Sequence, residues 1–223
     1  FDLLPPVIAL PLLLLLIEGA AYGLHRLYHS VPLLWRVHAV HHMDRELDVT
    51  TSHRHHTLEV MANTMILLPM FLLLGAPAVI LVLLSLFRIV VVLFNHSSLY
   101  LTDRVDRALG WFIATPRFHH AHHLVEKQYT NSNYGTVVPW FDDLFGTATR
   151  LSDEELAGRP IGLEYLSRPR DTRIDRVLLL PLTWRRSVSD NDSTQGQPPA
   201  LHKNQPPAFN RDQSAAPHNS RST

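Results

Sequence analysis

One motif, H-x2-H-H, occurs twice in this chain, at His38, His41 and His42 and again at His119, His122 and His123. A long apolar interval separates the copies, and an H-x3-H pair, His25 and His29, precedes the first. Residues three and four apart on a helix share a face, so each motif presents its imidazoles together. Neutral imidazole is the commonest protein metal ligand. The three motifs supply eight imidazoles. That is too many for one ion, since a structural zinc takes four ligands and a catalytic zinc three plus water. If the motifs act together, the interval between them must fold back on itself.

The intervals have the composition to do so inside a membrane. Residues 3–24 form an apolar stretch of spanning length, with Pro5, Pro6 and Pro11 near its start, where a helix tolerates them, and Glu18 the only charge in its later part. An acid there either reaches toward headgroups or serves the site. Residues 58–93 are again apolar, and Gly75-Ala76-Pro77 divides them into segments at 60–74 and 77–94. A hairpin that enters and returns brings Asn95 and His96 back to the side of the first motifs. Arg88, within the second segment, is expected to face protein or to snorkel. Arg26, Arg36, Arg45, Arg54, Arg104, Arg107, Arg117 and Lys127 crowd the common face and make it cytoplasmic by the positive-inside rule. The early apolar stretch has no basic n-region, so a cleavable signal peptide is not expected.

The rest of the chain is of mixed character. Asp103 to Trp111 reads as a short amphipathic helix at the interface. Asn131 to Gly135 reads as a turn, and Pro139 to Thr147 closes the region with aromatics. Residues 151–186 read as a membrane-surface extension, with Val177 to Trp184 resting on the bilayer. Residues 187–223 are rich in Ser, Asn, Gln and Pro, repeat Gln-Pro-Pro-Ala, and read as a disordered tail in which His202 and His218 are not ligands. The expected organisation is thus a 1–150 membrane di-metal domain, a 151–186 extension and a 187–223 tail. A formal net charge of zero gives no sign of a nucleic-acid partner. The absence of cysteine excludes disulfides, thiolate zinc sites and a built-in iron–sulfur cluster.

An all-nitrogen donor set suits iron, zinc or copper better than magnesium or calcium. No carboxylate sits inside the motifs. His53 and His55 in S-H-R-H-H are weaker candidates, because alternate positions diverge on a helix. His56 and His96 each complete a ligand set or orient another imidazole from behind. His120 breaks the pattern of its cluster. A membrane zinc hydrolase would want H-E-x-x-H, which is absent. A metal transporter or haem carrier would place its ligands within the spanning segments, and here they sit just outside them. A structural protein with a histidine-rich surface has no need of the repeated spacing.

The ordered text H-R-L-Y-H-S-V-P-L-L-W-R-V-H-A-V-H-H, R-H-H-T-L-E, N-H-S-S-L, T-P-R-F-H-H-A-H-H, N-Y-G and D-L-F-G-T, over about residues 20–147, resembles the fatty acid hydroxylase superfamily, also called the sterol desaturase family. Phe141 stands where that family commonly has Trp, and His120 where it usually has another residue. The resemblance implies an all-α integral membrane helical bundle with a cytosolic histidine-rich helical cap binding two metals. It implies four spanning helices, of which three are visible, so the family's other helix is expected ahead of Phe1. Carried over by motif, the ligands are His25, His29, His38, His41, His42, His119, His122 and His123, with His56 and His96 as the two further histidines. The implied cofactor is a pair of non-haem iron ions, replaceable by zinc in purified protein, with O2 as co-substrate. The implied activity is hydroxylation of an unactivated C–H bond of a lipid. Desaturation, alkylglycerol ether cleavage and a non-oxidative metalloprotein are the alternatives. The electrons are expected from a separate donor, cytochrome b5 or ferredoxin with its reductase. A polar tail without an ER retrieval signal points to a bacterial inner membrane.

Overall fold

The computed structural model describes residues 5–184. Helix α1, Pro6–Ser30, starts with proline at its first turn, where a missing N–H costs nothing. At 25 residues it is about 37 Å long, more than the roughly 30 Å of a bilayer's hydrocarbon core. Its last turns, which carry His25 and His29, therefore reach beyond the apolar zone. Val31 is extended, as the residue before a proline prefers, and Pro32 opens α2, Pro32–His42, with the chain redirected.

A short 3-10 turn, Thr51–His53, leads into α3, Thr57–Leu73. Gly75 adopts a left-handed φ of 64° at the expected break, and Pro77 caps α4, Ala78–Asn95. The two apolar segments are thus a helical hairpin, with boundaries close to those read from the sequence. Helices over Val7–Ser30 and Ala78–Asn95 are long and apolar enough to cross a membrane, and Thr57–Leu73 falls just short in length. Their large apolar side chains face outward, Leu73 at 87 % and Met65 at 72 % exposure.

Beyond the hairpin the chain continues in short helices: α5 (Asp103–Leu109), α6 (Pro116–His122), α7 (Lys127–Thr130), α8 (Trp140–Phe145) and α9 (Asp153–Leu156). No β-strand forms among the described residues; Leu124 and Ile161 make an isolated bridge. After a 3-10 turn, Pro169–Thr172, helix α10, Ile174–Thr183, completes the described chain. Leu180 and Pro181 of α10 are buried, and the Arg36 guanidinium donates to the Pro181 carbonyl at 3.0 Å. Val177 and Trp184 join Trp35, Ala39, Met43 and Leu163 in one apolar cluster. The end of the described chain therefore packs on α2, while Ile174, Leu178, Leu179 and Leu182 stay exposed. The expected disordered tail, 187–223, lies outside the described residues.

Tyr22 joins α1 to α8 and the residues after it. Its ring stacks on Phe141 and Phe145 at centroid distances of 5.8 and 5.4 Å, and its hydroxyl bonds Thr147 at 2.9 Å. Glu18, one turn earlier, is buried and forms an ion pair with Arg88 of α4. Two charges that would each be costly in lipid neutralise one another there.

Candidate metal centres

The histidines converge into two adjoining groups. His25, His29, His38, His42 and His122 form one, and His41, His96, His119 and His123 the other, each with its donor atoms within 4.8 Å of one another. The two H-x2-H-H motifs are split between them in opposite senses. His38 and His42 serve the first group while His41 turns to the second. His119 and His123 serve the second while His122 turns to the first. Each motif thus gives an i,i+4 pair to one group and its middle histidine to the other. The groups adjoin: His42 and His123 stack at 4.6 Å between centroids across the boundary.

Within the groups, Nε2 faces Nε2. The separations are 3.1 Å for His25–His38, 3.2 Å for His41–His96, 3.1 Å for His96–His119 and 3.2 Å for His119–His123. Donors about 2.1 Å from a common centre and at right angles to one another lie about 3.0 Å apart. The Nδ1 sides are held from behind. His25 Nδ1 meets the Tyr134 carbonyl at 2.7 Å and His122 Nδ1 the Ser132 carbonyl at 2.6 Å. His96 Nδ1 faces the Val92 carbonyl at 2.8 Å and Asn95 Oδ1 at 2.7 Å, and His38 Nδ1 faces Glu59 Oε1 at 2.8 Å. An imidazole that donates through Nδ1 presents an Nε2 lone pair, the tautomer a metal needs.

Burial gives the same reading. His42, His119, His122 and His123 are fully buried. Neither nitrogen of His42, nor Nε2 of His122, has a hydrogen-bond partner. Buried polar atoms left without partners cost about 1–3 kcal/mol each, so a cluster of them in a native fold needs an explanation. Metal ions supply one: the residues present fit two, with five and four imidazoles. Desolvation, reinforced by neighbouring imidazoles, holds His41, His42, His119, His122 and His123 well below the usual histidine range and so in the neutral, ligating form. Burial lowers His96 to about 4.

Remote segments buttress this arrangement. Asn133, at a left-handed φ of 55°, donates to the Phe118 and Thr149 carbonyls, both at 2.7 Å, and accepts from the Thr149 amide at 2.6 Å. The buried Asp142 carboxylate accepts from the Tyr134 amide at 2.8 Å and the Gly135 amide at 2.6 Å. Gly135 has no room for a Cβ, which would collide with the Val138 carbonyl. Asp142, just ahead of the D-L-F-G-T segment and itself bonded by that segment's Thr147, therefore helps fix the N-Y-G segment whose Tyr134 carbonyl orients His25.

His56 is the predicted site residue that joins neither group. Its Nδ1 accepts from the Leu58 amide at 3.0 Å as the N-cap of α3, and its Nε2 faces the Leu178 carbonyl at 3.3 Å. Both ring nitrogens are thereby occupied by backbone. The neighbouring His55, read as a weaker candidate, lies closer to the chemistry. Its ring stacks on His41 at 4.6 Å, and its Nδ1 lies 3.1 Å from Glu59. Glu59 was not singled out from the sequence, although its i,i+4 spacing from His55 was a usable signal.

A cluster of histidines at the end of helices apolar enough to cross a membrane defines a histidine-motif protein. The chain belongs to the fatty acid hydroxylase family, whose model matches residues 10–147. It is 31 % identical to the ornithine lipid hydroxylase OlsE of Rhizobium tropici, over 60 % of this chain and 40 % of that protein. It is 28 % identical to the alkylglycerol monooxygenase of Xenopus tropicalis, over 64 % of this chain and 31 % of that one. The human alkylglycerol monooxygenase is 27 % identical, again over 64 % and 31 %. The chain thus spans well under half the length of these relatives. No solved structure matches it.

Proposed function

We propose that this protein is a membrane-bound di-iron oxygenase that hydroxylates an unactivated C–H bond of a lipid. The observation that carries the reading is the pair of adjoining imidazole groups, each converging through Nε2. His25, His29, His38, His42 and His122 hold one ion, and His41, His96, His119 and His123 the other. His56 is left out of the ligand set because backbone groups occupy both its nitrogens. Iron bound there would supply activation of O2. Zinc can fill the same nitrogen set in purified protein.

The protein's own part is positional. The carbonyls of Tyr134, Ser132 and Val92 and the Glu59 carboxylate orient the imidazoles before any ion arrives. Eight of the nine imidazoles are buried and His29 is half-buried, which limits the access of water to the cluster. Helices α1, α3 and α4 cross or enter the bilayer and offer a lipid chain an apolar approach. The basic residues near the histidine groups favour a cytoplasmic metal face, in a bacterial inner membrane on our reading. Electrons come from a separate donor, cytochrome b5 or ferredoxin with its reductase. Ornithine lipid hydroxylase among the relatives favours hydroxylation, and the alkylglycerol monooxygenases keep ether cleavage as a second outcome of the same C–H oxidation.

The test is turnover of membrane lipid extract under 18O2 by iron-loaded protein with a reductase and donor. The expected product carries one labelled oxygen and depends on the donor. Product without label, or label gained without any donor, would contradict the proposal.

A further inference from the structure

Below the metal face lie two open clefts of about 290 and 280 Å³, and Ser85 and Arg88 line both where they adjoin. The lower one lies among α1, α3 and α4 and is lined by Ile17, Leu67, Phe71 and Leu84, with Asn63 and Thr64. The upper one opens at Ser52 and His53, two residues before His55, and is bounded by Val92, whose carbonyl orients His96. The lower one is linked to the first histidine group through Tyr28. Tyr28 donates to Asn63 at 2.9 Å, and its ring stacks on His38 at 5.5 Å. Together the two clefts form a track that leads from the apolar depth of the helices toward the histidine groups, one residue removed from each, at Tyr28 and Val92.

The junction has a distinct chemistry. Glu18 stands behind Arg88 at 2 % side-chain exposure, whereas the Arg88 side chain is 23 % exposed toward the clefts. Arginine carries five N–H donors and no acceptor, and one carboxylate cannot engage them all in good geometry. At membrane depth, a donor without a partner is costly. A ligand oxygen would satisfy the remaining donors, together with the Ser85 hydroxyl. That oxygen must be neutral. The Glu18–Arg88 pair has no net charge, so an added carboxylate or phosphate would leave an uncompensated anion in lipid.

We propose that this track is the substrate site and that Arg88, compensated by Glu18, selects a lipid chain bearing a neutral acceptor oxygen, an ether, ester or amide linkage, over a free acid. The chain lies against Phe71 and Leu67, and the linked headgroup faces Ser52 and His53. Arg88 lies seven residues before Asn95, about 10 Å along α4, so the linkage end of the chain, not its methyl end, is nearest the metals. The inference rests on the oxygenase reading for what happens to the bound lipid, but it is tested by binding.

The experiment is equilibrium binding of three radiolabelled probes of equal chain length, 1-O-hexadecylglycerol, hexadecanoate and hexadecane, to the full chain in detergent, with metal content measured on each sample. Wild type is expected to bind the ether at least about tenfold more tightly than the other two. Glu18→Gln, which leaves the Arg88 cation uncompensated, should invert the preference toward hexadecanoate, an effect loss of packing would not produce. Ser85→Trp, which fills the junction and leaves the ion pair in place, should weaken binding of the ether at least about tenfold at unchanged metal content. Equal binding of ether and acid by wild type, or unchanged binding by Ser85→Trp because another helix or a second copy of the chain covers the cleft, would overturn the proposal. Selective binding by protein with fewer than two ions per chain would instead count against the oxygenase reading alone.

Discussion

Replacing Glu59 by Gln should loosen one metal centre more than the other. The carboxylate is 2 % exposed, and its Oε1 accepts from His38 Nδ1 at 2.8 Å and from His55 Nδ1 at 3.1 Å. Glutamine keeps the shape and one acceptor oxygen but removes the charge. A hydrogen bond to a charged group contributes about 1.5–3 kcal/mol against about 1 for a neutral one. The outer partners of ligating histidines typically change metal affinity 10- to 100-fold, about 1.4–2.7 kcal/mol. His38 belongs to the five-histidine group, so that ion bears the loss directly. The second group feels Glu59 only through the stack of His55 on His41. Chelator competition on the metal-loaded protein, followed ion by ion, should show one ion released at 10- to 100-fold lower chelator concentration and the other shifted by less than about threefold. Equal loss of both ions, or no change in either, would refute this assignment of Glu59.

His42→Ala should lose metal, whereas His56→Ala should keep both ions and cost about 1 kcal/mol of stability, as loss of a helix N-cap does, read by elemental analysis beside thermal unfolding. Asp142→Ala strips the acceptor from the Tyr134 and Gly135 amides. It should cost roughly 2–5 kcal/mol and weaken the centre containing His25, measured by unfolding and chelator competition. The buried histidines set a pH dependence. Burial lowers His96 and His120 to about 4, from the 6.5 usual for histidine. Above pH 6.5 neither the folded nor the unfolded chain protonates them, and their stability contribution is fully present. As pH falls from 6.5 toward 4 the unfolded chain alone takes up protons, and each group withdraws up to about 3 kcal/mol. The melting temperature should therefore fall steadily from pH 7 to pH 5, and a flat profile would contradict the burial.

The sequence carried the long apolar helices, the hairpin break at Gly75 and nearly all of the clustered histidines. Apolar length and i,i+3/i+4 spacing are local properties, legible without the fold. Spacing alone could not divide the H-x2-H-H motifs. It puts His38, His41 and His42 on one face, but which imidazole turns to which centre depends on α6 packing opposite α2. The same limit explains His56. In Arg54-His55-His56 only the start of α3 decides that His56 caps a helix while His55 turns toward Glu59 and His41. The roles of Tyr134 and Asp142 were illegible for a related reason. The carbonyl that orients His25 lies 109 residues away from it, so the N-Y-G segment reads only as a turn. The loose amphipathicity of residues 151–184 gave no sign that α10 would pack on α2.

The most direct test is metal content per chain, by elemental analysis of anaerobically purified, detergent-solubilised protein together with His42→Ala and His119→Ala. Two iron ions per chain in the wild type, with one lost in each variant, is the predicted result. One ion or none in the wild type, or variants that keep both, would mean that the two histidine groups do not each hold a metal.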